Sequence, residues 1–95
     1  MGQRQSDLDR ELLGEGKGLA DLNIVWALAE RLPPSRGKKS RKDPPPAQVL
    51  RSRFTPGGMI RRSYEAMSRD LHVSTNRARY LVSRSLHELR RALDH

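Results

Sequence analysis

The chain predicts an all-α fold, a small C-terminal helical domain preceded by an N-terminal helical segment. Three observations predict it. Apolar residues recur at i, i+3 and i+7 or close to it in four stretches, the spacing of one helix face. Ser6, Ser63 and Ser74 each stand just ahead of a helical run, where a hydroxyl can accept a hydrogen bond from an otherwise unpaired backbone N–H. Clusters of Gly and Pro separate the stretches.

Taken in order, residues 1–5 carry no pattern and are expected to be disordered. Ser6 caps a short helix over 6–13, with Asp7 and Asp9 in its first turn, where negative charge suits the helix dipole. Gly14 stops that helix, and Gly14, Gly16 and Gly18 form a flexible hinge. The hinge is not a phosphate loop, because no strand precedes it and the Walker spacing is absent. A second helix runs from Leu19 or Asp21 to Leu32, with Leu22, Val25, Leu28 or Ala29, and Leu32 on its apolar face. Pro33-Pro34 ends it, since a residue before proline avoids the helical region. Trp26 sits beside this stripe and is expected to anchor the helix to the C-terminal domain, with docking of a partner as the sharper alternative. Residues 33–45 read as a basic, proline-rich linker, with five Lys/Arg between Arg36 and Lys42.

The C-terminal domain spans 46–95. Ala47, Leu50 and Phe54 form one face of a third helix, and Thr55-Pro56-Gly57-Gly58 is a turn signal. Ser63 caps a helix reaching Leu71, with Glu65 in its first turn and Tyr64, Met67 and Leu71 on its inner face. His72-Val73 makes a tight turn. Ser74 then caps a long final helix from Thr75 to Leu93. Its inner stripe is Ala78, Leu81, Ser85, Leu89 and Ala92, flanked by Val82, Leu86 and Leu93.

Composition narrows the function. Ninety-five residues suit one small domain plus tails. The absence of cysteine excludes a disulfide framework, a thiol nucleophile and a cysteine-based zinc site. The longest apolar run, Ile24 to Ala29, is too short to span a bilayer, and the acidic N-terminus lacks a signal-peptide core. A soluble intracellular protein with no membrane partner is expected. His72, His87 and His95 lack metal-ligand spacing. Glu65 and Asp70 do not share a helix face, and Ser83 and Ser85 have no His–Asp partner at a plausible position. The chain is therefore read as a non-enzyme without metal or cofactor. Lys+Arg number 19 against 11 Asp+Glu, a net charge of +8. That charge is concentrated beyond residue 35, behind an acidic N-terminal segment. A basic body of this kind is the footprint of a polyanion binder, with a merely solvated face as the alternative.

A short helix, a tight turn with one apolar residue, and a longer basic helix describe a helix-turn-helix. The second helix of that motif enters the major groove with long polar side chains at its N-terminal end. Thr75, Asn76, Arg77, Arg79 and Tyr80 occupy that position here. Arginine reads guanine in a bidentate way and asparagine reads adenine. Ser74 and the helix start suit a phosphate, as does Arg84 further along.

These residues also carry a resemblance. SYEAMSRDLHVSTNRARYLVSRSLHELRRAL resembles the helix-turn-helix of region 4 of bacterial sigma factors, and PPPAQVLRSRF with its glycine turn resembles the helix ahead of it. The likeness spans roughly residues 44–93, about half the chain, with its segments in the family's order. It implies that the last helix reads a promoter element and that the preceding helix and its surroundings bind the β flap of RNA polymerase. By position, it implies that Thr75, Asn76, Arg77, Arg79 and Tyr80 face base edges and that Ser74, Arg77 and Arg84 touch phosphates. Val49, Leu50 and Phe54 would lie in the core or on the polymerase-facing side. His72 stands where the family commonly has glycine, and Thr75, Asn76 and Tyr80 replace its usual Arg, Glu and Gln. No segment resembles the promoter-opening region 2, so a complete sigma factor is not expected. The resemblance implies a cytoplasmic regulator of a bacterial cell, host- or phage-encoded, such as a Q-type antiterminator or one half of a split sigma factor. Double-stranded DNA and RNA polymerase are the expected partners. The other class is a conventional repressor or activator that binds a palindromic operator without polymerase. The oligomeric state is left open, with Leu86, Leu89 and Leu93 as a candidate dimer face.

Overall fold

The computed structural model describes residues 4–33 and 43–94, and among these it holds five helices. They are α1 (Asp7–Leu13), α2 (Leu22–Arg31), α3 (Pro46–Arg53), α4 (Tyr64–Leu71) and α5 (Thr75–Leu93). Among the described residues no strand forms, and one isolated antiparallel bridge pairs Phe54 with Ile60. The basic run from Arg36 to Lys42 lies outside the described residues, as do residues 1–3.

The ends of the helices follow local chemistry. Ser6 and Asp9 form a reciprocal capping box: the Asp9 N–H donates to Ser6 Oγ at 3.1 Å, and the Ser6 N–H donates to Asp9 Oδ2 at 2.9 Å. Asp21 caps α2 through Asn23 N–H at 3.0 Å, so that helix begins at Leu22 and not at Leu19. Ser63 and Ser74 cap α4 and α5 through the N–H groups of Ala66 and Arg77, at 3.2 and 3.0 Å. α3 has no side-chain cap but starts with proline, whose missing N–H would be unpaired there anyway. His72 closes α4 in the left-handed conformation, φ 57°. That is the physical reason the position suits glycine.

α5 is the hub, packing against all four other helices. Ala78, Leu81, Val82, Ser85, Leu86 and Leu89 are its buried face, while Ala92 and Leu93 are half-buried. Leu8 and Leu12 of α1 and Val25 and Ala29 of α2 lie in the same hydrophobic core as Val49, Leu50, Phe54, Met67 and Leu71. Residues on both sides of the expected linker thus build one core. Seven residues are too few for a stable helix alone. Burying a leucine contributes roughly 1.5–3 kcal/mol, and Leu8 and Leu12 supply two such anchors.

Three long-range hydrogen bonds hold the N-terminal segment. The Trp26 indole N–H donates to the Pro56 carbonyl at 2.9 Å, the anchoring role expected for it. The Leu8 N–H donates to the Gly58 carbonyl at 2.8 Å, and Asp7 Oδ2 accepts from the Ile60 N–H at 2.9 Å. Gly58 has φ 86°, and a Cβ there would stand 2.9 Å from Ser6 Cβ, and closer still to Ser6 Oγ. Only glycine allows α1 to approach so closely.

The glycine hinge is better tied than its composition predicts. Gln5, expected to be disordered, donates from Nε2 to the carbonyls of Gly14 and Gly18 at 3.0 and 2.6 Å. Its Oε1 accepts from the Gly16 N–H at 2.8 Å. Asp9 Oδ1 accepts from Ala20 N–H at 2.9 Å. Burial pushes the Asp9 carboxyl up, but the bonds from the Ser6 and Ala20 N–H groups and the Ser6 hydroxyl outweigh it. They hold Asp9 below the usual carboxylate range.

Candidate nucleic-acid interface

α4 and α5 are joined by His72, Val73 and Ser74 and pack closely on each other. The Val73 N–H donates to the Ser68 carbonyl at 3.0 Å, and its side chain is half-buried, which pins the turn. Along the open side of α5, Asn76, Arg79, Tyr80 and Arg84 are exposed, with Tyr80 at 46%. Ser74 is exposed and engaged as the cap, and Thr75 is half-buried. The exposed arginines continue through Arg90 and Arg91 to the C-terminal end of the helix.

Arg77 has a partner within the chain. Its Nε donates to Asp43 Oδ1 at 3.2 Å and its Nη2 pairs with Asp43 Oδ2, a bidentate ion pair. The side chains are only 22% and 4% exposed. The Asp43 hydrogen bond strengthens proton binding to the guanidinium, against the opposing effect of burial. The same guanidinium carbon sits 4.8 Å from the Tyr80 ring centroid. An arginine expected to face bases and phosphates is closed onto the chain ahead of α3. Composition offered one signal: Asp43 is the single carboxylate between Glu30 and Glu65.

Arg79 lies on the opposite flank. Its guanidinium carbon stands 5.3 Å from the Tyr64 centroid, and Arg53 stands over the same ring at 4.1 Å. Arg53 also donates from Nη1 to the Arg62 carbonyl at 2.6 Å. Neither Arg53 nor Tyr64 was marked as a site residue by the sequence pattern. Arg53 follows an apolar helix face, and Tyr64 reads as an ordinary core position of α4.

Val49, Leu50 and Phe54 take the first of the two places expected for them. They are 0%, 0% and 3% exposed, so they belong to the core and offer no surface to a partner. Beside Phe54, a cleft of about 340 Å³ opens between α2, α3 and the following turn, lined by Trp26, Arg51, Pro56 and Arg61. Arg51 is paired there with Glu30 of α2. Among the described residues no group of His, Asp or Glu is placed to hold a metal ion, and no helix is long and apolar enough to cross a membrane.

Comparison of the chain with protein-family models, with curated proteins and with solved structures finds no match.

Proposed function

We propose that this protein is a DNA-binding transcription regulator that inserts α5 into the major groove and associates with bacterial RNA polymerase, as a phage-type antiterminator or a sigma-like factor. One observation carries the reading. A short helix, a three-residue turn and a long basic helix leave Asn76, Arg79, Tyr80 and Arg84 exposed along the outer side of α5. Helix-turn-helix readers present groove-contacting side chains in this way. Within 75–93 there are five arginines and one carboxylate, Glu88, so the helix itself is a cationic rod. The sequence resemblance to sigma region 4 supports the polymerase half of the proposal. With Val49, Leu50 and Phe54 buried, the cleft at Trp26, Arg51, Pro56 and Arg61 is the surface next to α3 that could receive that partner.

Binding of the full chain to RNA polymerase, with and without sigma, in moderate salt tests the polymerase half. Moderate salt suppresses non-specific attraction to a +8 protein. Saturable binding weakened by Trp26→Ala or Arg61→Glu is the expected result. DNA binding that persists with no polymerase binding would leave an operator-binding regulator, and a palindromic footprint would then identify it as a dimer. Asn76→Ala tests the DNA half: it should cost about 1–3 kcal/mol of discrimination at one base position.

A further inference from the structure

We propose that Arg53 and Arg79, both stacked on Tyr64, form a two-arginine clamp for one backbone phosphate of double-stranded DNA beside the recognition helix. The inference rests on the DNA-binding reading above and names a contact within it that the sequence pattern did not mark.

Two guanidinium carbons lie 4.1 and 5.3 Å from one ring centroid. They come from different helices, α3 and α5, and meet at the first residue of α4. Two like charges gathered at one ring repel, and the ring offsets only part of that. Among the described residues no carboxylate lies within 4.0 Å of either guanidinium. Glu11 lines the cavity beside Arg53 and Tyr64 but is not at ion-pairing distance from either guanidinium, and the other two nearby carboxylates have partners of their own. Asp70 accepts from Ser52 Oγ at 2.9 Å and faces Arg62 at 3.8 Å. Asp7 accepts from the Ile60 N–H and faces Arg10 at 3.8 Å. Among the described residues only Nη1 of Arg53 donates a hydrogen bond, to the Arg62 carbonyl, which fixes that side chain. A pair of planar forks with no acid at ion-pairing distance among the described residues is complementary to a phosphate diester. Its position fits the DNA backbone as well. The first helix of a helix-turn-helix crosses that backbone while the second lies in the groove, and the clamp sits where the two helices meet α3. Arg79 is thereby assigned to a phosphate and not to a base edge.

The test is fluorescence anisotropy of the full chain on two duplexes of unrelated sequence across a series of salt concentrations. Arg53→Ala and Arg79→Ala should each weaken both duplexes by the same factor, about ten-fold. Each should also reduce the magnitude of the log–log salt slope by about 0.9, the value for one phosphate. The double variant should show the same slope change as either single one, because the two arginines share that phosphate. Tyr64→Phe keeps the stacking ring and should leave binding unchanged, whereas Tyr64→Ala should behave like Arg53→Ala. Arg79→Lys, which keeps the charge and the fold but not the planar fork, should restore the slope and only part of the affinity. A loss confined to one duplex would overturn the clamp in favour of base reading. Wild-type binding untouched by the folded variants would overturn the clamp alone. A wild-type chain that binds neither duplex would overturn the DNA-binding reading itself.

Discussion

The two flanks of α5 carry arginines two positions apart in sequence that end in opposite surroundings. On one flank Arg77 is closed against Asp43, half-buried and neutralised. On the other, Arg79 shares the Tyr64 ring with Arg53 and meets no carboxylate within ion-pairing distance among the described residues. A helical pattern assigns both to the outer side of one helix and treats them alike. Their difference shows that the availability of a charged side chain depends on what the rest of the chain brings to it. The Arg77 flank is built to hold the fold together, and the Arg79 flank is built to remain open.

The largest disturbance should come from the support behind the open flank. Asp7, Arg10 and Glu11 of α1 wall a small cavity together with Arg53 and Tyr64, and α1 is seated on Gly58. Gly58→Ala adds a Cβ against Ser6 and demands a left-handed backbone of alanine. It should destabilise the protein by about 2–4 kcal/mol, read from urea unfolding. An unchanged midpoint would mean that α1 is dispensable to the flank.

Next comes the closed flank. Arg77→Ala strands the nearly buried Asp43 carboxylate and should cost about 1–3 kcal/mol of stability. Asp43→Asn keeps the shape and should cost less. It also releases Arg77 toward the groove, so binding to duplex DNA should tighten. If Asp43→Asn weakens binding instead, Asp43 orients Arg77 and does not withhold it.

Arg79→Ala should change stability by less than about 1 kcal/mol, since it removes one exposed cation–π contact. A cost matching that of Arg77→Ala would erase the distinction between the flanks.

The smallest effect lies outside both flanks and serves as their control. Asp9 titrates below its ordinary range in the folded protein. Its contribution is therefore fully present above the unfolded-state value of about 3.9, and it is lost as pH falls through the folded value. Asp9→Asn should flatten the acid limb of the stability profile in thermal melts while leaving DNA affinity near neutral pH unchanged. An acid limb of wild-type slope would show that the cap and the Ala20 contact add nothing to stability.

Much of the fold was legible along the chain. Ser6, Ser63 and Ser74 cap where they were expected to, and the last helix ends at Leu93 as predicted. The candidate site was legible only in part. Asn76, Arg79, Tyr80 and Arg84 are exposed as the pattern required, but Arg77 is paired, and Val49, Leu50 and Phe54 are buried. Position on a helix face distinguishes inside from outside for α5, whose outer side is open. On α3 every apolar residue was needed to fill the core.

What the sequence by itself determined is where each helix starts and stops and which face is apolar. Caps, prolines and periodicity act within about one turn, so neighbours in sequence are sufficient. What only the tertiary structure decided is which side chains meet. Asp43 and Arg77 are 34 residues apart, Trp26 and Pro56 are 30 apart, and Asp7 and Ile60 are 53 apart. Those partnerships arise when α1 and α2 close onto α5 to bury a shared core. They depend on the geometry of that packing, which no local pattern of residues encodes.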